Sequence, residues 1–230
     1  MDILTCSSRT ATWMILGLAV VTMIAHWFVG PAFGFHRDEL QTLDDARHLA
    51  WGYVAYPPMT PFFGRLSLDL FGISIAGFRF FASLAQAAVL ILTALMAREM
   101  DGGRHAQSLA AAAYLPLALS AGALMQYVSF DNVCWVLAAY SVVRLLRSED
   151  PRWWLAIGAA AGLGMMAKYA MAFFAAAIFA GFLLTNARRY LASRWQVAGC
   201  SSSSGLRIWR GRQSISSFHS TSCARFMRAT

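Results

Sequence analysis

Charge is scarce in this chain. Only 13% of its 230 residues are Asp, Glu, Lys or Arg against 58% hydrophobic, and a single lysine, Lys168, stands among 19 basic residues. With a mean hydropathy of +0.51, this excludes an ordinary soluble domain and indicates a polytopic membrane protein. Cysteine is equally sparse. Cys6, Cys134, Cys200 and Cys223 show no paired spacing, so neither a disulfide framework nor a zinc site is indicated. The net charge of +8 would point to nucleic acid in a soluble chain. Here the arginines flank apolar runs, where they set topology, and no nucleic-acid partner is expected.

What is present is a series of apolar spans. Thr12 to Gly30 is long enough to cross about 30 Å of hydrocarbon and carries His26 as its one polar interruption. It lacks a small-residue cleavage site, and Trp27, Phe28 and Phe33 form an interfacial belt, so it reads as a first span rather than a signal peptide. Ser74 to Ala97 is a second span, with Arg79 placed to snorkel. Gln107 to Met125 is a third and Val128 to Leu146 a fourth. Trp153 to Leu184 is too long for one crossing at about 48 Å, and is expected as two short spans meeting at Lys168. The fold expected is all-α, with about six transmembrane helices over residues 1–192.

The first loop, residues 31–73, has its own pattern. Leu40, Leu43, Ala46, Leu49, Ala50 and Tyr53 recur at helical spacing among charged residues, which predicts an amphipathic helix over 38–53 lying in the interface. Tyr56-Pro57-Pro58 breaks it. Thr60 as N-cap and Pro61 at the first position restart a helix with Phe62, Phe63, Leu66 and Leu70 on one face, and Gly72 stops it. With the amino terminus cytoplasmic, the short inner loops hold Arg98, Arg104, Arg144, Arg147 and Arg152. That satisfies the positive-inside pattern and puts Asp38, Glu39, Asp131 and Lys168 together on the extracytoplasmic face of the plasma (inner) membrane.

Arg37-Asp38-Glu39 is the first charge after the opening span. Adjacent carboxylates can cap a helix and favour its dipole. At a bilayer surface one of them also suits a base that takes a proton from an acceptor hydroxyl. Lys168 between two apolar half-spans is either snorkelling or holding an anion such as a lipid phosphate. Asp131 joins them by sharing their face. His36, His48 and Asp45 have no diagnostic metal spacing, so no cofactor is assigned and a divalent metal stays open.

Arg37-Asp38-Glu39, Gly52-Tyr53, Tyr56-Pro57-Pro58-Met59-Thr60, Phe130-Asp131, Gly162-Leu163-Gly164 and Ala167-Lys168-Tyr169, in that order, resemble the amino-terminal half of membrane glycosyltransferases of family 39. These are relatives of the dolichyl-phosphate-mannose protein mannosyltransferases and the bacterial aminoarabinose transferases. The resemblance runs from about Thr12 to Tyr190. It implies a C-type glycosyltransferase fold and transfer of a sugar from a polyprenyl-phosphate donor, with inversion, to an extracytoplasmic lipid, glycan or protein acceptor. It places the base at Asp38 with Glu39 beside it, and the proline pair in loop helices over the site. Arg37, Tyr56, Pro57, Pro58, Arg65, Asp131, Lys168 and Tyr169 become substrate-binding candidates, with Arg37 or Arg65 assisting Lys168 at the phosphate. Relatives continue with further spans. The stretch 193–230 is basic, Ser/Arg-rich and free of acidic residues, and is expected to be a disordered or out-of-frame tail. The competing functions are a transporter or exporter subunit, for which no internal repeat is found, and a non-catalytic remnant.

Overall fold

The computed structural model describes residues 3–53 and 56–192, and all regular structure among them is helical. The first helix, α1 (Ile3–Val29), runs into a 3₁₀ turn (Gly30–Phe33) and two short helices, α2 (Arg37–Arg47) and α3 (Met59–Phe71). Five more follow: α4 (Ile75–Glu99), α5 (Arg104–Ala121), α6 (Tyr127–Ser148), α7 (Trp153–Ala167) and α8 (Met171–Leu184). The tail at 193–230 lies outside the described residues.

Among the described residues, three helices are long and apolar enough to cross a bilayer: α1 from Thr12, α4 and α6. The apolar α7 and α8 have 15 and 14 residues, roughly 22 Å each and short of a full hydrocarbon core. The chain is an all-α membrane protein. The break expected at Lys168 is where α7 ends, because Lys168 adopts extended backbone (φ −155°, ψ 136°).

Helix α1 packs on α4 and α5, α4 on α5 and α6, and α6 on α7. Alanines dominate the contacts, with Ala19, Ala87, Ala94 and Ala111 in one cluster and Ala138, Ala160 and Ala161 in another. Small side chains let helices approach closely where apolar burial gives little discrimination between neighbour and lipid. Trp13, Phe28, Leu109, Phe173 and Leu184 face outward, as lipid-facing positions do.

Helices α2 and α3 pack on each other, and α3 also touches α4, α6 and α7. They lie at the end of the bundle where α1, α5 and α7 finish and α4 and α6 begin. Leu43, Phe78, Ala82, Met125, Phe130 and Ala167 form the apolar cluster beneath them.

Four local expectations are corrected. Helix α2 stops at Arg47, because the Tyr53 hydroxyl folds back to donate to the Asp45 carbonyl at 2.8 Å and accept from the Ala50 N–H at 3.0 Å. Thr60 sits inside α3, whose N-cap is Pro58. The buried face of α3 is Thr60, Pro61, Gly64 and Ser67, while Phe62 and Leu70 are exposed. A Cβ on Gly64 would lie 3.1 Å from that of Ala46 and 3.3 Å from the Phe78 ring, so small residues set this close approach. Arg79, expected to snorkel, is 3% exposed.

Candidate active site

The site begins with the start of α2. His36 has extended backbone, accepts from the Asp38 N–H through Nδ1 at 3.3 Å, and donates its own N–H to Glu39 Oε2 at 2.9 Å. This reciprocal cap defines the first turn and points the two adjacent carboxylates in different directions.

Glu39 points inward and is fully buried. Its Oε1 accepts from Arg79 Nε at 2.8 Å and from the Met125 N–H at 2.9 Å; Oε2 accepts from Arg79 Nη2 at 2.5 Å as well as from His36. Arg79 extends the network, donating from Nη1 to the Gly30 carbonyl at 2.8 Å and from Nη2 to the Gly34 carbonyl at 2.7 Å. One ion pair therefore joins the end of α1, the start of α2, α4 and the segment before α6. With four donors on two oxygens, Glu39 is engaged in holding the fold.

Asp38 points the other way and its side chain is half exposed. Oδ2 accepts from Gln126 Nε2 at 3.2 Å and Oδ1 from Arg37 Nε at 3.4 Å. The Arg37 side chain is 91% exposed, so this contact is well screened by water. Of the two carboxylates, Asp38 is the one open to a ligand.

Lys168 meets the same α6 terminus at Tyr127. Its Nζ is 5.0 Å from the centroid of the Tyr127 ring, within cation–π range. The Tyr127 ring neighbours Tyr56 at 6.3 Å, and Tyr56 neighbours Tyr53 at 5.8 Å. The Tyr56 hydroxyl donates to the Asp45 carboxylate. Burial, then the bond to the Asp45 carboxylate, pushes the Tyr56 phenol well above its ordinary value, and burial raises Tyr53 in the same direction. Asp131, one turn after Tyr127, accepts from Trp135 Nε1 at 3.0 Å and feels the Lys168 charge. Asp38 and Lys168 thus flank consecutive residues, Gln126 and Tyr127.

The other candidates separate. Arg65 pairs with Asp69 at 3.0 Å on an exposed face of α3. Tyr169 is 46% exposed. Pro57 is buried and Pro58 begins α3, so the proline pair carries the chain from the tyrosine wall into that helix. His48 is paired with Asp44 and Asp45 with Tyr56. Among the described residues no group of three or more His, Cys, Asp or Glu side chains could hold a metal. Arg79, Gln126 and Tyr127 are residues that sequence reasoning did not place here, and Asp45, weighed there only as a metal ligand, accepts from Tyr56 instead. An arginine near the start of an apolar span, with an acidic pair in the preceding loop, was the available signal for the first of them.

Two cavities adjoin the loop helices, one at the start of α2 and one along α3. One of about 770 Å³ lies between α1 and α5 and is lined by His26, Gly34, His36, Arg37 and Arg79. The other, of about 630 Å³, is apolar and runs between Leu49, Trp51, Met59 and Phe62 of the loop and Leu163 and Met166 of α7. Its last lining residue, Met166, is two residues before Lys168.

No curated protein and no solved structure matches the chain. A family model does match, over residues 55–202, from the tyrosine–proline segment through α8. That is more than half of the chain, which belongs to the dolichyl-phosphate-mannose-protein mannosyltransferase family of membrane glycosyltransferases.

Proposed function

We propose that this chain transfers a sugar, with inversion, from a polyprenyl-phosphate donor to an acceptor hydroxyl on the extracytoplasmic face of the plasma membrane. The acceptor oxygen attacks the anomeric carbon while the bond from that carbon to the phosphate oxygen breaks. The acceptor proton passes to Asp38, and the departing lipid phosphate is held by Lys168. A phosphate leaves without being protonated, so the chemistry asks for one base and one cation and no general acid. Glycosyltransferases of this family are metal-independent, and no step here is assigned to a cofactor.

The observation carrying this reading is the convergence of the half-exposed Asp38 carboxylate and the Lys168 ammonium on Gln126 and Tyr127. Tyr127 and Tyr56 form an aromatic wall beside Lys168 suited to a sugar ring. The apolar groove along Leu163 and Met166 suits the isoprenoid chain, delivering its phosphate to Lys168. Arg37, mostly in water and only loosely paired with Asp38, can reach acceptor or phosphate. Arg65, held by Asp69, is left out of the phosphate site.

The test is transfer of labelled mannose from dolichyl-phosphate mannose, in membranes carrying the full chain, into lipid, glycan and protein fractions. Asp38→Asn is expected to lower kcat by about 10²–10⁴-fold, the usual contribution of a positioned base. Lys168→Ala is expected to act on donor affinity as well. Transfer retained by both variants would contradict the assignment.

A further inference from the structure

We infer that Gln126 is the positioning residue of the Asp38 carboxylate, and that a buried polar network in the membrane holds it in place; this rests on the proposed role of Asp38 as base. The first sign is a broken local rule. Gln126 is the N-cap of α6, a position that favours Ser, Thr, Asp or Asn because their short side chains satisfy the first helical N–H groups. Its side chain caps nothing in its own helix. It crosses instead to α2 and donates Nε2 to Asp38 Oδ2 at 3.2 Å. A carboxylate only accepts, so the amide facing it has to present its NH₂. Departures from local preference of this kind are expected where a residue serves a site.

The segment bearing Gln126 is pinned on both sides. Just before it, the Met125 N–H donates to Glu39 Oε1 at 2.9 Å. The two adjacent carboxylates of α2 therefore bind two adjacent residues, Glu39 by backbone and Asp38 by side chain. Just after it, the Ser129 N–H donates to the Gln126 carbonyl at 3.2 Å, and the Ser129 carbonyl accepts from Gln86 Nε2 at 3.1 Å. Gln86 is fully buried in α4. Its Oε1 accepts from the Tyr114 hydroxyl of α5 at 2.6 Å, and that hydroxyl accepts from Asn132 Nδ2 of α6 at 2.5 Å. An amide–phenol–amide network inside a membrane bundle ties helices together where stray polar groups have no water to turn to. This one ties α4 and α5 to the first turns of α6, whose start carries Gln126.

The groups facing Asp38 are few. From α2 and its cap come Arg37, mostly in water, His36 Nδ1 at 3.8 Å, and Glu39, whose charge is matched by Arg79. From α6 comes Gln126. A donor fixed on Oδ2 limits rotation of the carboxylate, leaving Oδ1, met only by the mostly solvated Arg37, for the acceptor.

The experiment uses the full chain in membranes with dolichyl-phosphate mannose as donor. Gln126→Ala is expected to lower kcat about tenfold with donor KM unchanged, the pattern of an interaction that serves the reacting group and not substrate binding. Gln126→Glu, which keeps the side-chain length but sets a like charge against the carboxylate, is expected to lower kcat further. A readout independent of turnover is the infrared carboxylate stretch that Asp38→Asn removes, whose frequency should shift in both variants as the hydrogen bond from Gln126 is lost. A kcat and a stretch that stay in place, or a loss confined to donor KM, would overturn the inference. If Asp38→Asn transfers sugar normally, the assignment of the base has failed, and the infrared stretch still decides whether Gln126 acts on that carboxylate. Should Gln126→Ala not fold, Gln126→Glu and Gln126→Asn carry the same comparison.

Discussion

Removing one member of the Arg79–Glu39 pair should damage this protein more than removing both. In Arg79→Met the Glu39 carboxylate stays at 0% exposure with two backbone N–H partners, His36 and Met125, and no cation. Truncating one side of a buried pair leaves an uncompensated charge and typically costs about 3–5 kcal/mol. The Gly30 and Gly34 carbonyls, which Arg79 serves at 2.8 and 2.7 Å, also lose their donors. Each such loss is worth about 1–3 kcal/mol where water cannot replace it, and the cavity bordering Arg79 gives water a route. In Arg79→Met/Glu39→Leu the isolated charge is gone, and what remains is four backbone groups to be hydrated or repacked. The double variant should therefore lie about 2 kcal/mol or more above the sum of the singles, the coupling expected of groups in one network. The assay is reversible unfolding in mixed micelles, followed by helix content, for the parent, both singles and the double. Additive effects, or an Arg79→Met no less stable than the parent, would refute the claim that this pair fixes α2 against the bundle.

Other outcomes follow from the same geometry. Gly164→Leu should destabilise by about 1–3 kcal/mol, because even a Cβ there would lie 2.6 Å from Met171 Cγ and 3.1 Å from Cys134 Cβ; a thermal melt in detergent reads it. Gln86→Leu should cost about 1 kcal/mol by leaving the Ser129 carbonyl and the Tyr114 hydroxyl short of partners, and micelle unfolding that matches the parent would count against the network. The raised Tyr56 phenol gives a pH signature. For a group raised on folding, the stability it contributes is whole below the unfolded value near 10 and declines as pH climbs toward the folded one. Absorbance titration should show a late tyrosine ionisation that Tyr56→Phe removes; its persistence would point to another residue.

The architecture was largely legible because membrane spans are written in composition. The apolar runs at 12–30, 74–97 and 128–146 became helices, and the interruption at Lys168 became the α7–α8 break, since a single charge and a change of backbone direction coincide there. The small residues of α3 were misread, because an apolar stripe of Phe62 and Leu70 has two possible hosts in a membrane protein, core and lipid. Periodicity does not tell them apart. The acidic pair was visible as a site, but the division of labour within it was not. It depends on Arg79, forty residues away in sequence, and on backbone groups of Gly30, Gly34 and Met125 that carry no side-chain signal. Tyr127 and Gln126 were invisible for a related reason, since they act through the turn they occupy rather than through their type. The family match starts at residue 55, downstream of Asp38 and Glu39, so it does not itself reach those two.

The central claim is that Asp38 and Lys168 serve one donor headgroup at one face of the membrane. In a chain freed of its four native cysteines, Asp38→Cys and Lys168→Cys can each be challenged in intact cells with a membrane-impermeant maleimide. Both are predicted to label from outside, and Asp38→Cys, which retains Lys168, to be protected by added dolichyl-phosphate mannose. Labelling of the two positions from opposite sides would contradict the account.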